Sequence, residues 1–365
     1  MSKELTIHKD GTAIYPIYIE NDYSGLGKVL NELELSNRKV LIVTDTNVGV
    51  HYAKEVENIA REFVSVVETI TIPAGEAHKN LESVHQIYQK LIEDKFDRND
   101  VLIALGGGVI GDMTGFTAAT YLRGIRFIQL PTSLLAMVDS SIGGKTGVDF
   151  QAYKNMVGAF YQPKAVYMNL HTLHTLPERE FYSGFGEIIK HGLIKDSQYY
   201  NWLLEHADKI LAKTPEFLEE TIYRSLLVKQ AVVENDPYEK GERALLNFGH
   251  TLGHAVEKLM NFSLLHGECV SLGIVTACFL SMQLGHITKE EYDSVCDTLK
   301  AFHLPVSLPS DALNIEEVVS ATKNDKKMDS GKIKFILLET LGNAYINKEL
   351  TDEQLTLAAR EILDV

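Results

Sequence analysis

Cysteine is scarce in this chain, which has three cysteines in 365 residues. Cys269, Cys278 and Cys296 cannot form a complete set of disulfide pairs, and all three lie in helix-like stretches. We therefore expect reduced, buried thiols, as in proteins of reducing compartments. The scarcity excludes a small secreted domain that depends on disulfides for its stability.

Positive charge is also in short supply, because 35 Lys and Arg face 50 Asp and Glu, giving a formal net charge of -15. Such a chain repels nucleic acids and acidic membrane surfaces. It has no apolar run of the ~18 residues that a membrane-spanning helix needs, and its opening, MSKELTIHKDG, lacks the apolar segment of a signal peptide. We expect a cytoplasmic protein without a nucleic-acid or membrane partner.

The first half of the chain alternates strand-like and helix-like segments. Short apolar runs predict strands at 39–45, 63–72, 101–105 and 127–130, and helical spacing of apolar residues predicts a helix at 81–96. This alternation predicts a parallel sheet with ligand sites at the carboxyl ends of its strands. The second half is mostly helical, with a strand signal at 332–338. We predict an α/β domain over residues 1–172 and a mainly α-helical domain over residues 173–365.

A glycine turn follows the third predicted strand, in VLIALGGGVIGDMTGF. Gly106, Gly107 and Gly108 would permit positive φ angles and a close approach of backbone amides to a phosphate at the start of the next helix. The turn differs from the G-x-G-x-x-G fingerprint, so it favours a dinucleotide but leaves other phosphate ligands open. Asp45, at the end of the first strong strand, would either bind ribose hydroxyls or cap a helix or turn.

Three histidines and a glutamate predict a metal site. His250 and His254 lie four residues apart, on one face of a helix, and His266 follows shortly after. Glu187, in SGFGEIIKHG, is the best candidate for a carboxylate ligand, with Lys190 on the same helix face. Imidazole and carboxylate ligands suit catalytic Zn²⁺, although Co²⁺ or Fe²⁺ would accept the same ligand types.

Cationic residues near glycines and other small residues predict a site for an anionic substrate. Each one alone is typical of an ordinary surface charge. Together with a metal and a glycine turn in an acidic chain, they favour a phosphorylated and carboxylated small molecule. The set comprises Lys145, Lys154, Lys190, Lys229, Arg243, Lys326 and Lys327.

These motifs belong to longer blocks that span nearly the whole chain, among them GGGVIGDMTGF, SSIGGKTGVD, LPEREFYSGFGEIIKHG, LLNFGHTLGHA and LLHGE. In this order they resemble the 3-dehydroquinate synthase family of sugar-phosphate cyclases. The resemblance implies a Rossmann-like NAD-binding domain, a helical metal-binding domain, a homodimer, and NAD with Zn²⁺ or Co²⁺ as cofactors. It also implies conversion of 3-deoxy-D-arabino-heptulosonate 7-phosphate to 3-dehydroquinate and phosphate, through transient oxidation, phosphate elimination, re-reduction and intramolecular aldol closure.

The resemblance assigns roles residue by residue. Glu187, His250 and His266 become the zinc ligands, whereas His254, which helical spacing nominated as a ligand, becomes a proton-handling residue outside the ligand set. Catalytic roles fall on His254, Lys145, Lys190, Arg243, Asn247 and Glu239. Substrate-binding positions are Arg123, Asp139, Lys145, Asn155, Lys190, Lys229, Arg243, Asn247, and one of Lys326 and Lys327. Cofactor positions are Asp45, Asn47, Glu76, Lys79, Gly107, Gly108, Val109, Asp112, Thr132, Ser133, Lys154, Thr172 and Thr175.

Three other functions compete with this one. A metal-dependent polyol or alcohol dehydrogenase of related fold would also have a glycine-rich turn and histidine ligands, but would not need Lys145, Lys190, Lys229 and Arg243. A sister cyclase that makes another carbocycle is disfavoured by SSIGGKT and RALLNFGH. A catalytically silent NAD-binding scaffold would not need the complete set of metal ligands and cations.

Overall fold

The computed structural model describes residues 3–151, 153–239, 241–323, 328–329 and 332–363. The chain forms two compact units, Met1–Leu176 and Pro177–Val365. The boundary between them follows Leu176, whereas the sequence analysis drew it after residue 172. Among the residues that the structure describes, no helix combines the length and apolar character needed to cross a membrane.

The first unit is built on a mostly parallel sheet. Its described strands are β1 (Lys3–Lys9), β2 (Thr12–Glu20), β3 (Lys39–Asp45), β4 (Val66–Ile72), β5 (Val101–Gly106), β6 (Arg126–Pro131), β7 (Lys145–Phe150), β8 (Tyr153–Phe160) and β9 (Val166–Asn169). Seven of these form one sheet in the order β1-β2-β9-β6-β5-β3-β4, in which β1 and β2 pair antiparallel and the other neighbours pair parallel. Strands β7 and β8 form a separate antiparallel hairpin.

Helices cover both faces of this sheet, which explains why its inner strands are apolar throughout. The helices are α1 (Leu26–Glu32), α2 (Gly49–Arg61), α3 (Leu81–Glu93) and α4 (Gly108–Thr120). Successive strand residues point to opposite faces, so Ile103 packs in one core with α1 and α2, while Leu102 packs in the other with α3 and α4. A sheet buried on both faces reads as continuous apolar sequence, and the predicted α/β class is confirmed.

Local sequence explains where the predicted elements begin and end. The strand at 39–45 is confirmed to the residue, whereas the strand predicted at 63–72 begins only at Val66. Helix α3 starts after Asn80, whose side chain accepts a hydrogen bond from Ser83 N, and stops at Glu93, short of the predicted 96. Lys95 takes a φ of 56°, a left-handed conformation that a helix does not contain.

Several strands of the first unit escaped the sequence analysis. Both hairpins, β1-β2 and β7-β8, were missed, and so was β9. The first hairpin turns at Asp10 and Gly11, whose φ angles are 51° and 75°. An Asp-Gly pair between alternating segments is a recognised hairpin signal, so this element was predictable from the sequence.

The second unit is mainly helical, as predicted. Its described helices are α5 (Glu178–Lys195), α6 (Ser197–Glu205), α7 (Ala207–Leu211), α8 (Pro215–Asn235), α9 (His250–Leu259), α10 (His266–Gln283), α11 (Lys289–Ala301), α12 (Ile315–Lys323) and α13 (Asp352–Glu361). The strand signal at 332–338 corresponds to β11 (Lys332–Ile333), which pairs with β10 (Met328–Asp329), and to β12 (Phe335–Thr340), which pairs with β13 (Asn343–Asn347).

Helix α10 is the centre of this unit and packs against both α5 and α9. Two glycines of α10 permit the close approach. A Cβ atom on Gly267 would lie 1.7 Å from the carbonyl oxygen of Ser183 on α5, and one on Gly273 would lie 1.7 Å from that of Gly249, just before α9. No larger residue fits at either position, and backbone therefore packs directly on backbone where the three helices meet.

The central strand β5 gives a direct test of the sheet core. Ile103 is fully buried, whereas Ile92 on α3 is 65% exposed. We expect Ile103→Ala to lower the free energy of unfolding by about 2–5 kcal/mol, because it removes buried methyl groups and leaves a cavity. Ile92→Ala, with the same change of side chain on the surface, should cost less than about 1 kcal/mol. Urea unfolding of both variants measures the difference, and equal losses would contradict the described burial.

Candidate active site

The second unit gathers the predicted metal ligands in one place. Glu187 lies on α5, His250 is the first residue of α9 and His266 is the first residue of α10. Glu187 Oε1 lies 3.4 Å from His250 Nε2 and 3.6 Å from His266 Nε2. The three atoms form a group that would bind one metal ion, and two imidazoles with one carboxylate leave a tetrahedral ion an open position for substrate.

Glu187 is fully buried, and its two carboxylate oxygens have different surroundings. Oε2 accepts a hydrogen bond from the ammonium of Lys190, which is also buried. Oε1 is buried without a hydrogen-bond partner. An oxygen in that state costs free energy unless it meets a positive group, and this one faces two histidine nitrogens. The residues present therefore fit a divalent cation.

The pKa of the Glu187 carboxyl reflects the same surroundings. Burial raises this pKa, but the positive charge of Lys190 and the proximity of His266 lower it more, so the pKa lies well below its usual range. Glu187 is accordingly ionised at neutral pH, as a metal ligand must be.

His254 lies beside the ligand group, on the next turn of α9. Its ring centroid is 5.1 Å from that of His250 and 6.0 Å from that of His266. His254, Glu257 and His266 form a second group with metal-ligand geometry. His266 belongs to both groups, with Nε2 toward Glu187 and Nδ1 at 3.9 Å from Glu257 Oε1. Glu257 was missed by the sequence analysis, although it lies three residues after His254 on the same helix and could have been found by that spacing.

The glycine turn of the first unit leads from β5 into α4, as the sequence predicted, but the reason for its glycines differs. None of Gly106, Gly107 and Gly108 adopts a left-handed φ, so the expectation of positive φ was wrong. Close packing explains them instead: a Cβ on Gly106 would lie 2.7 Å from Ile110 Cβ, and one on Gly108 would lie 2.9 Å from Ser140 Oγ. Because glycines have no side chains, the turn itself does not cover the amides at the start of α4.

Four of the predicted cofactor residues, one of them the buried Lys79, form a cluster of charges. Lys79 Nζ lies 2.6 Å from Asp112 Oδ2 on α4 and 2.6 Å from Asn155 Oδ1 on β8. Lys154 Nζ lies 3.7 Å from Glu76 Oε1. Burial lowers the pKa of Lys79, but the charges of Asp112 and Glu76 raise it more, so the net shift is upward. Burial raises the pKa of Asp112 against the opposing charge of Lys79.

The remaining cofactor positions of the first unit lie at strand ends and turns. Asp45 Oδ1 accepts hydrogen bonds from Asn47 N at 2.8 Å and Val48 N at 2.9 Å, so Asp45 holds the turn before α2. Its other carboxylate oxygen is not committed to that turn. Thr172 Oγ1 donates to Asn169 O at 2.7 Å, and Thr175 Oγ1 lies 2.6 Å from Tyr52 OH. Thr132 and Ser133 follow β6, and Val109 lies in the first turn of α4.

The predicted substrate residues of the first unit lie on its surface turns and on the β7-β8 hairpin. Lys145 is exposed and follows Gly143 and Gly144, whose φ angles are 94° and 66°. Arg123 is exposed in a short 3-10 turn, and Asp139 lies half-buried between β6 and β7. Asn155, predicted to bind substrate, accepts the hydrogen bond from Lys79 described above.

The substrate residues of the second unit include two buried cations. Lys229 on α8 and Arg243 are both almost inaccessible to solvent. Arg243 Nη1 donates to Pro237 O at 2.6 Å, and Asn247 Nδ2 donates to Glu239 Oε1 at 2.7 Å, so Glu239 holds the Asn247 amide. Lys326 and Lys327 lie outside the described residues.

The fold and these sites define a class: a two-unit α/β and helical protein with a candidate metal site in its second unit. Within this class, family models for the 3-dehydroquinate synthase N-terminal and C-terminal domains match residues 69–183 and 184–328. A 3-dehydroquinate synthase from Acetivibrio thermocellus is 46% identical over 341 residues, covering 93% of this chain and 94% of the relative. The chain belongs to the 3-dehydroquinate synthase family.

Solved structures that resemble this chain include a cyclase and a dehydrogenase. The structure of 2-epi-5-epi-valiolone synthase from Streptomyces hygroscopicus subsp. jinggangensis, with NAD⁺ and Zn²⁺ bound, has a TM-score of 0.88 at 25% identity and covers 95% of this chain and 96% of that one. Glycerol dehydrogenase from Schizosaccharomyces pombe has a TM-score of 0.67 at 15% identity, covering 94% and 88%, which shows a shared fold alone.

Metal content of three variants tests the ligand set. His250→Ala and His266→Ala should fail to retain Zn²⁺, because each removes one of the nitrogens that face Glu187 Oε1. His254→Ala should keep its metal and lose turnover, since its ring lies outside that group. Elemental analysis after desalting, with wild type alongside, decides the matter. Loss of zinc from the His254 and His266 variants, with zinc retained by His250→Ala, would instead favour the group formed by His254, Glu257 and His266.

Proposed function

We propose that this protein is a phosphate-eliminating cyclase that converts 3-deoxy-D-arabino-heptulosonate 7-phosphate to 3-dehydroquinate and phosphate. Family membership over both domain models supports the activity. The observation that carries the chemistry is the convergence of Glu187, His250 and His266 around one buried, unpartnered carboxylate oxygen. A divalent cation would stabilise this oxygen, which supports a metal-dependent reaction.

The cofactors fit residues that are present. Glu187, His250 and His266 would hold Zn²⁺ or Co²⁺, and the β5-α4 turn with Lys79, Asp112 and their neighbours would hold NAD. When bound, the metal supplies Lewis-acid polarisation of substrate hydroxyls, and NAD accepts and returns one hydride, so that there is no net oxidation.

Lys190 has a defined part in this proposal. Its ammonium lies against Glu187 Oε2, where it offsets the buried carboxylate charge and leaves Oε1 directed at the two histidines. A carboxylate held by one oxygen has a fixed orientation for its other oxygen, which is how neighbouring groups set the geometry of metal ligands. Lys190 also supplies a positive charge close to the ligand group, where the proposal requires it to meet an anionic substrate.

Buried cations support the choice of an anionic substrate. Lys229 and Arg243 are almost inaccessible to solvent in the second unit of an acidic chain, where the attraction between a cation and a bound anion is stronger than in water. We assign Lys229 and Arg243 to binding the phosphate and carboxylate ends of the substrate. Holding both ends fixes the orientation of the reacting carbons, which accounts for a large part of such rate enhancements. His254, beside the ligand group, is assigned to moving protons.

A polyol or alcohol dehydrogenase is the second candidate and has less support. Its argument is the shared fold, at the identity and TM-score given above for glycerol dehydrogenase. The family models and the close relatives favour the cyclase instead. We further propose that the enzyme acts in the cytoplasm, as expected from the sequence, and forms a homodimer, as the family resemblance implies. Sedimentation velocity tests the homodimer.

The proposed reaction predicts a specific stoichiometry. Purified enzyme with Zn²⁺ and the heptulosonate phosphate should release phosphate and 3-dehydroquinate in equal amounts, with NAD⁺ far below the substrate concentration. NADH should not accumulate, because the hydride returns to the substrate. Chelation should abolish both products, and Zn²⁺ or Co²⁺ should restore them. Steady NADH formation from a simple polyol, without phosphate release, would favour the dehydrogenase.

The anion-binding role of Lys145 and Arg243 predicts a loss confined to the substrate. Arg243→Ala should lower kcat/KM by at least ~30-fold, since Arg243 is buried and losing one partner of a desolvated charge pair costs about 2–5 kcal/mol. Lys145→Ala should also lower kcat/KM, because Lys145 is exposed here and would lose its hydration only when the substrate covers it. Zinc content and NAD⁺ affinity should stay near wild type. Lys289→Ala, which removes an exposed partner of Asp293 on α11, is the control and should leave kcat/KM nearly unchanged. Unchanged kinetics in both test variants would contradict the assignment.

A further inference from the structure

We infer that Arg179 and Ser183 are positioning residues for the metal site, holding the start of α10 so that His266 faces Glu187. Neither residue belongs to the ligand, cofactor or substrate sets described above. The inference rests on the proposed function, because it takes Glu187, His250 and His266 as the ligands. Its subject is how the fold fixes one of those ligands in place.

Arg179, Ser183 and Glu187 form a stripe along α5. They are spaced four residues apart, and residues at this spacing lie above one another on one face of a helix, about 6 Å apart along its axis. Each member contacts a residue in the first turn of α10. Arg179 contacts Glu268, Ser183 contacts Gly267, and Glu187 faces His266. The contacts run from Arg179 to Glu187 along α5 and from Glu268 back to His266 along α10, so the two segments meet in opposite chain directions.

Arg179 makes the most extensive of these contacts. Its Nε and Nη2 atoms donate to the two carboxylate oxygens of Glu268, each at 2.7 Å, and Nη2 also donates to Ser263 O at 3.1 Å. Glu268 Oε2 in turn accepts a hydrogen bond from Leu265 N at 2.8 Å. Bidentate pairs of this kind fix geometry as well as adding free energy. One arginine thus ties α5 to the loop before His266 and to the helix after it.

Ser183 makes the central contact, immediately beside the ligand. Its Oγ accepts a hydrogen bond from Gly267 N at 3.0 Å, and Ser183 itself is buried. That amide is one of the groups at a helix start that have no partner within the helix. Since Gly267 follows His266 directly in the chain, fixing the Gly267 amide fixes the backbone that carries the imidazole. The close backbone contact at Gly267 leaves little room for any other arrangement.

The position of His266 matters because two ligand groups share it. Its Nε2 faces Glu187, whereas its Nδ1 faces Glu257 in the group that includes His254. A small rotation or shift of the first turn of α10 would change which carboxylate the imidazole approaches. The contacts of Arg179 and Ser183 run to α5, the helix of Glu187, and therefore favour the group that contains Glu187.

Zinc affinity, measured apart from catalysis, tests this inference. The variants are Arg179→Gln, Arg179→Lys, Ser183→Ala and Glu268→Gln in the full chain. Arg224→Gln is the matched control, because it breaks an ion pair with Glu220 within α8, on an arginine that is likewise partly exposed. Competition with a chromogenic chelator gives the Zn²⁺ dissociation constant. Thermal melting of the metal-free proteins and the visible spectrum of the Co²⁺-loaded proteins complete the measurements.

Positioning residues of metal ligands typically change affinity by about 10–100-fold. We expect that range for Arg179→Gln, Ser183→Ala and Glu268→Gln, with an altered Co²⁺ spectrum, and an intermediate loss for Arg179→Lys, which keeps the charge but not the bidentate geometry. The Arg179→Gln, Glu268→Gln double variant should lose no more than about the larger single loss, since both changes remove one interaction. The Arg224→Gln protein should bind Zn²⁺ as wild type does, whatever its melting temperature.

Two outcomes would overturn the inference, and they are distinguishable. Zinc affinities within threefold of wild type, with lowered melting temperatures, would make Arg179 and Ser183 structural residues only and leave the proposed function intact. Failure of the wild-type protein itself to bind Zn²⁺ or Co²⁺ would contradict the ligand set, and with it both the proposed function and the inference.

Discussion

The buried carboxylate of Glu187 is the constraint on which the second unit depends. Removing an ionised carboxylate from water costs several kcal/mol unless charges and hydrogen bonds replace its hydration. Lys190 meets one oxygen and two imidazoles approach the other. These partners come from three helices, so α5, α9 and α10 must approach closely, and the glycines where they meet make that approach possible. The close packing of α5, α9 and α10 is thus linked to the stabilisation of the buried Glu187 carboxylate.

The first unit also contains a buried charge that needs partners, and here the charge is positive. Lys79 is a buried ammonium that forms an ion pair with Asp112 on α4 and donates a hydrogen bond to Asn155 on the β7-β8 hairpin. The parallel sheet explains why such a cluster forms here, because the carboxyl ends of its strands lie at one edge and their turns lead into helices. A single lysine therefore links a residue predicted to contact the cofactor with one predicted to contact the substrate.

The sequence predicted those parts of the fold whose signal is local. Doubly buried strands such as β3 and β5 are continuous apolar runs and were found. The β7-β8 hairpin, in which β7 is partly buried and β8 is largely exposed, has no such run and was missed. Spacing along one helix nominated His254 with His250, but it could not bring Glu187 to them from another helix. Glu187 was nominated as the carboxylate ligand from its own segment, the family resemblance then grouped it with His250 and His266, and the structure brings the three residues together. The positive φ expected of the glycines after β5 was wrong, and the packing of Gly107 on Ser133 and of Gly108 on Ser140 gives no local signal because those partners are remote in sequence.

A metal-binding histidine at the first position of a helix lies where the backbone frays easily. The amides of a first turn lack partners within the helix, so the turn frays unless side chains from elsewhere accept their hydrogen bonds. Leu265, before α10, has no hydroxyl or carboxylate with which to do this. Glu268 instead accepts a hydrogen bond from Leu265 N, just before the helix, and Ser183, on α5, accepts one from Gly267 N in the first turn. The groups that stabilise the helix start therefore also orient His266, so the same hydrogen bonds cap the helix and fix the geometry of the ligand.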